Sequence, residues 1–253
     1  MKITILQRNI EWANPQANIA RADEAISCLL DADLFVLPEM FSTGFCTQPE
    51  GIAESADSET LHWMKRKAAE RNCAIAGSVA VCENGTIIIV FTLSIRTEPC
   101  SIMIRNICSP SGANTSVFTA GTERVVVNFR GVRILLEVCY DLRFPVWSRN
   151  LGDYDMILYV ASWPTPRVDA WSALLRARAI ENQCYVAGVN RMGTDPACEY
   201  SGGSAIIDPY GKTIAECPWS RESAVSADID MEALQAFRKK FPVLDDADPF
   251  TLI

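Results

Sequence analysis

Apolar residues along this chain recur at two periods, and they mark out its elements. "KITILQRNI" alternates as a half-buried strand does. Ile19, Ala22, Ile26, Leu29 and Leu30 fall at helical spacing, so "NIARADEAISCLL" is predicted as an amphipathic helix. "DLFVLPEMF" is a short apolar run stopped by Pro38, the pattern of a buried strand that ends in a turn. "SETLHWMKRKAAERN" follows as a second helix, and "CAIAGSVAV" as a strand. "RVVVNFRGVRILLEVCYD" predicts two strands joined by a tight turn at Arg130–Gly131. "DMILYVASWP" is a strand closed by Pro164. "DAWSALLRARAIENQ" is a helix with Ala170, Leu174, Ala177 and Ile180 on one face. "CYVAGVNRM", "GSAIIDPYG" and "ESAVSADID" are strands, and "MEALQAFRKKFP" is a closing helix.

Strands and helices alternate, but some strands follow one another directly. That predicts a mixed α/β sheet with helices outside it, in one domain spanning 1–253. Neither a G-x-G-x-x-G nor a P-loop occurs. Three predicted strand ends carry chemistry: Glu39 after "LFVLP", Cys139 after "ILLEV" and Trp163 after "LYVAS". Ligands of open α/β sheets gather at the carboxyl ends of strands. Taken alone, Glu39 also reads as a solvated turn carboxylate, and Trp163 as a core aromatic.

Charge narrows the partners. The net charge is −8, which disfavours nucleic acid and acidic membrane surfaces, because both select basic patches. The run at the amino terminus is broken by Gln7 and Arg8, so no signal peptide is expected. No apolar stretch approaches the roughly 18 residues of a membrane span. Ten cysteines are scattered with no C-x-x-C pair, and His62 is the only histidine. Structural zinc and a disulfide framework are therefore not expected, and most of these thiols read as small buried hydrophobes in a reducing cytoplasm.

Four stretches, "LFVLPEMFSTGF", "VCYDLRFPVWSRN", "ASWPTPRVDAWSALLRARAIENQ" and "YSGGSAIIDPYG", occur in order. Together they resemble the nitrilase superfamily of carbon–nitrogen hydrolases, and most closely its omega-amidase branch. The resemblance implies a four-layer α-β-β-α sandwich that forms a homodimer through its outer helices. It implies hydrolysis of a small-molecule amide to acid and ammonia through a Cys–Glu–Lys triad, with no metal and no organic cofactor. Cys139 matches the nucleophile and Glu39 the general base; Met40, Tyr140 and Trp163 fall where the family lines its substrate pocket. A thiol is only a few per cent ionised at pH 7, so a carboxylate within hydrogen-bond reach serves it as a base. The oxyanion would be held by the backbone N–H after Cys139 and by the family's lysine. A Cys–His pair is the weaker arrangement, since His62 lies on a helix far from any matching motif.

The lysine is where the chain departs from the family. The family places it in a run like Y-D-K-R/K-H-L-F between the glutamate and the cysteine. This chain has only Lys65 and Lys67 in that interval, both on the second predicted helix. The window 87–116, "IIIVFTLSIRTEPCSIMIRNICSPSGANTS", resembles nothing in the family. Moved by one base, codons for "IIIVF" read Y-Y-N-R-F and codons for "IMIRNIC" read Y-Y-D-K-K-H-L. "GANTS" similarly yields G-G-E-H-E. The window thus reads as translated from a shifted frame, starting near Thr86 and ending near Val117; the alternative is a truly diverged insert. Arg105 stands in the lysine's place, and its planar guanidinium does not donate a proton near neutral pH.

The sequence leaves three functions open. The first is an amidase acting on the omega-amide of a dicarboxylate, such as a 2-oxo acid amide, with Arg143 and Arg191 as candidates for the substrate carboxylate. The second is another amidase or a nitrilase of the superfamily. The third, from a different class, is a catalytically impaired dimeric binding protein.

Overall fold

A computed structural model of the chain describes residues 1–46, 51–83, 86–95, 101–104, 123–246 and 248. Two six-stranded sheets lie at its centre. The first is built from β1 (Lys2–Gln7), β2 (Leu34–Val36), β3 (Ala74–Glu83), β4 (Thr86–Ser94), β5 (Ser101–Ile104) and β14 (Ser223–Asp228). Their order is β14-β1-β2-β3-β4-β5, with β1, β2 and β3 parallel and the remaining pairs antiparallel. The second contains β6 (Val126–Phe129), β7 (Val132–Val138), β8 (Met156–Ala161), β9 (Tyr185–Asn190), β12 (Ala205–Ile207) and β13 (Thr213–Glu216). It runs β13-β12-β9-β8-β7-β6, with β7, β8 and β9 parallel. A small ribbon pairs β10 (Met192–Thr194) with β11 (Glu199–Ser201).

The alternating residues of the central strands explain the layers. Ile3, Ile5, Leu34 and Val36 of the first sheet pack with Ile134, Leu136, Val138 and Leu158 of the second in one buried cluster between the sheets. Each such side chain stabilises the fold by about 1.5–3 kcal/mol relative to exposure. The opposite face of the first sheet, Leu6, Phe35 and Ile75, meets α1 (Pro15–Ser27) and α2 (Glu59–Arg71). The opposite face of the second, Leu135, Ile157 and Tyr159, meets α3 (Val168–Glu181). The expected α-β-β-α sandwich is therefore the observed one. A further helix, α4 (Met231–Lys240), sends Leu234 into the core between the sheets.

Helix boundaries follow local chemistry. Pro15 opens α1 behind Asn14, whose Oδ1 accepts the Ala17 N–H at 3.2 Å. That start precedes the predicted one, because capping rather than apolar spacing sets it. The helix stops at Ser27, so Leu29 and Leu30 lie beyond it and Leu30 is exposed. The Arg130–Gly131 turn closes the β6–β7 hairpin with φ of +49° and +79°, the twist a two-residue hairpin loop favours.

In α3 the structure corrects the expectation from spacing. The buried face carries Trp171, Leu175, Arg178 and Ala179, while Ile180 of the predicted face is exposed and Ala170 and Leu174 are only partly buried. The helix thus has two apolar stripes, and spacing alone does not say which one meets the sheet. Gly188 of β9 decides it. A Cβ there would lie 2.4 Å from Leu175 Cδ1 and 2.9 Å from Trp171 Cζ2, so a bare backbone admits these two large side chains. The pattern of the chain does not predict β4, β5, β10, β11 or β13. The first two involve the unmatched window, and the other three are only three or four residues long.

Replacing Gly188 by Ala should therefore overpack this layer and destabilise the protein by about 1–3 kcal/mol. Urea denaturation followed by tryptophan fluorescence measures the loss; an unchanged midpoint would contradict the close approach.

Candidate active site

The parallel core strands of the two sheets end on the same side, and the chemistry-bearing residues stand there. Beyond β2, Pro38 ends pairing and delivers Glu39, which is fully buried. Its Oε2 accepts the backbone N–H of Ser162 at 2.7 Å, one residue past the end of β8. That bond runs from the first sheet to the second. Next to Glu39, Met40 has φ +44°. Its N–H donates to Ser78 Oγ at 3.0 Å and its carbonyl accepts the Gly44 N–H at 2.7 Å, which holds this uncommon backbone in place.

Cys139 begins a short 3-10 turn, Cys139–Arg143, directly after β7. Its φ of +46° is rare for a residue with a side chain. Two bonds pin the turn. The Val138 N–H donates to Asp141 Oδ2 at 2.9 Å, and Arg178 Nη2 of α3 donates to the Leu142 carbonyl at 2.6 Å. Unlike Cys73 and Cys184, which are buried and whose thiols burial pushes up (Cys73 to about 11), Cys139 is half-buried. It packs against both the cluster between the sheets, which contains Met40, and the cluster under α3, which contains Trp163. The strand ends therefore bring Glu39, Met40, Cys139 and Trp163 into one region, as their motifs suggest.

Trp163 is buried and rigidly placed. Its N–H donates to Asn190 Oδ1 at 2.7 Å, its carbonyl accepts from Asn190 Nδ2 at 3.0 Å, and its indole N–H donates to the Arg167 carbonyl at 2.7 Å. The Arg143 guanidinium lies 4.7 Å from the centre of its ring. Tyr140, half-buried, stands edge-on to Phe144 at 5.2 Å. Asn190 and Asp141 hold these turns through their side chains, which the sequence does not reveal. Both stand at the ends of predicted strands, but nothing in the chain order pairs Asn190 with Trp163, 27 positions away.

Other candidates go elsewhere. Arg191 is fully buried, donating to the Ile10 and Thr194 carbonyls, ion-paired with Asp195 and stacked 4.4 Å from the Tyr200 ring. These partners make it a structural tie, not a receptor for a substrate carboxylate. His62 is half-buried on α2, beside Asp57 at 2.7 Å. Lys67 bridges α2 to Asp23 of α1 at 2.8 Å, on the outer face of the sandwich. Arg105 lies outside the described residues. Among the described residues, no group of three or more His, Cys, Asp or Glu side chains could hold a metal ion, and no helix is long and apolar enough to cross a membrane.

Two helix-clad sheets thus hold a buried carboxylate and a half-buried thiol at the ends of their parallel strands. The chain belongs to the carbon–nitrogen hydrolase family, whose profile matches residues 2–239. Within the nitrilase superfamily it is an amidase, an enzyme that cleaves an amide carbon–nitrogen bond. It is 44% identical to the omega-amidase YafV of Escherichia coli K12, covering all of this chain and 98% of that protein. It is 34% identical to the 2-oxoglutaramate amidase of Bacillus subtilis, over 96% of each. A crystal structure of a CN-hydrolase superfamily protein from Xanthomonas campestris, with an arsenic adduct in its active site, superposes with a TM-score of 0.96 at 35% identity, covering 100% of this chain and 98% of that one.

Removing the Asn190 side chain, as in Asn190→Ala, strands two buried backbone groups of Trp163. The expected cost is about 2–4 kcal/mol, with a rise in KM if Trp163 lines the substrate pocket. Denaturation and steady-state kinetics on the same variant test both.

Proposed function

We propose that Cys139 attacks the terminal amide of a small dicarboxylate monoamide, with Glu39 as its base. The observation that carries this reading is the buried Glu39 carboxylate, clamped by the Ser162 N–H at the strand ends where Cys139 turns out of β7. Glu39 takes the thiol proton as sulfur bonds to the amide carbon. The tetrahedral oxyanion is held by the Tyr140 N–H. The carbon–nitrogen bond then breaks, Glu39 returns the proton to the leaving ammonia, and a thioester remains. Water, deprotonated by Glu39, cleaves the carbon–sulfur bond and releases the acid, and the proton passes back to the thiolate.

Met40, Tyr140 and Trp163 form the pocket walls in this reading. The two named relatives, an omega-amidase and a 2-oxoglutaramate amidase, support a 2-oxo acid omega-amide as substrate. Arg143, half-buried against the Trp163 face, supplies the cation for its free carboxylate. The homodimer expected of the fold draws support from the exposed Ile180 on the second apolar stripe of α3, beside Gly211 and close to exposed Tyr210. A reducing cytoplasm agrees with eight described cysteines that form no disulfide among themselves.

Ammonia release from 2-oxoglutaramate tests the mechanism. Cys139→Ala and Glu39→Gln should each abolish turnover to within background, and iodoacetamide should alkylate Cys139 well ahead of the other cysteines. Equal labelling of all thiols would overturn the nucleophile assignment and favour a binding protein built on the same fold.

The missing lysine has its own test. If the protein contains Arg105 in the lysine's place, one oxyanion donor is lost, and turnover falls on the order of a hundred- to a thousand-fold below that of an intact relative; if the frame is restored, turnover matches that relative. Sequencing the DNA across codons 80–120, together with the intact mass of the protein, decides whether the window is a shifted frame. A frame restoring Y-D-K-K-H-L, with a mass that departs from that of a chain containing "IMIRNIC", is the expected outcome. A mass that agrees with "IMIRNIC" would refute the shift and leave the impaired clamp.

A further inference from the structure

The proposed mechanism leaves one buried acid unused. Glu137 is fully buried on β7, two residues before Cys139. Strand alternation turns it with Leu135 toward α3, away from the core between the sheets that takes Leu136 and Val138. Its register neighbour is Tyr159 of β8, whose hydroxyl donates to Ser148 Oγ at 2.9 Å. The groups that face it are the Asp141 carboxyl from the turn, the Arg178 guanidinium from α3, Arg124 from the segment before β6, and Tyr159. Arg178 engages Glu181 Oε1 through Nη1 at 2.7 Å and the Leu142 carbonyl through Nη2 at 2.6 Å, and its buried Nε makes no hydrogen bond to Glu137. Among the described residues, no N–H or O–H donor reaches either Glu137 oxygen.

A buried carboxylate without donors is strongly disfavoured, and two facing carboxyls cannot both ionise at low cost. One of the pair must keep a proton. Asp141 is the member with a donor, since its Oδ2 accepts the Val138 N–H at 2.9 Å. Burial, together with the adjacent Asp141 charge, pushes Glu137 well above the ordinary carboxylate range. Glu137 is then the protonated acid, and Asp141 the acceptor it can reach.

We propose that Glu137 is a positioning residue for the nucleophile: it donates a hydrogen bond to the Asp141 carboxylate and, through Asp141, fixes the turn that aims Cys139. This rests on Cys139 being the nucleophile. The chain of contacts is short. Glu137 orients Asp141, Asp141 holds the Val138 N–H, and Val138 precedes the residue with φ +46°. Arg178 secures the far side of the same turn at Leu142. A thiol on a strained turn loses its aim when either tie loosens.

The test compares Glu137→Gln with Glu137→Leu in the full-length protein, against Cys139→Ala. Gln keeps a donor without the acid; Leu removes it. Gln should hold kcat within about threefold and keep the iodoacetamide rate of Cys139. Leu should lower kcat about tenfold or more with KM little changed, and slow the alkylation in parallel. The carbonyl band of a protonated carboxylic acid should be present in the wild type and lost in the infrared difference spectrum against Glu137→Gln. That band decides the matter even if the Leu variant does not fold.

Wild-type kcat and alkylation in the Leu variant, a Gln variant as damaged as Leu, or absence of the acid band would each overturn the proposal. Activity that is lost in Cys139→Ala but untouched in Glu137→Leu defeats this inference alone. Activity that survives Cys139→Ala defeats the nucleophile reading as well.

Discussion

The bond from the Ser162 N–H to the Glu39 carboxylate joins the two sheets at the place where chemistry is proposed to occur. Glu39 belongs to the end of a strand in one sheet and Ser162 to the end of a strand in the other. A hydrogen bond to a charged group contributes about 1.5–3 kcal/mol, and its worth rises where water is excluded. Here the carboxylate is wholly buried. The apolar cluster between the sheets brings the strand ends together but fixes no direction. The clamp supplies the direction, and it also positions Ser162 next to Trp163, whose backbone Asn190 grips from the neighbouring strand.

The outer layer serves the same region from behind. α3 reaches the turn after β7 through Arg178, and it lies close enough to do so because Gly188 leaves room for Trp171 and Leu175. A methyl group at position 188 would push the helix outward and weaken the hold on Leu142. Packing in the layer under α3 is thus mechanically linked to the aim of Cys139. On the neighbouring stripe of the helix, Ala170 and Leu174 still touch this layer while Ile180 is exposed.

Two residues with side chains adopt positive φ at the site, Met40 at +44° and Cys139 at +46°. Such conformations persist only when surrounding bonds over-determine them. Each has its own restraints: Ser78 and Gly44 for Met40, Asp141 and Arg178 for the turn that starts at Cys139. The buried polar groups around these turns therefore serve geometry. The fully buried Arg191, tied to two carbonyls and to Asp195, is a further example.

Period and punctuation in the chain were enough to determine the strands of the parallel core, the four helices of the described residues and the hairpin at Arg130–Gly131, because alternation, helical spacing and turn residues are local properties. The motifs likewise marked Glu39, Cys139 and Trp163, each at the end of a predicted strand. What the sequence could not decide depends on distance in space. Which stripe of α3 is buried turned on Gly188, which belongs to another element. The pairing of Asn190 with Trp163, of Ser162 with Glu39 and of Arg178 with Leu142 joins positions 27, 123 and 36 apart. The burial of Arg191 and Glu137 was equally hidden, since a charged residue in a sequence gives no sign of whether its neighbours in space are water or protein. Only the closing of two sheets and three layers of side chains around these groups determines that.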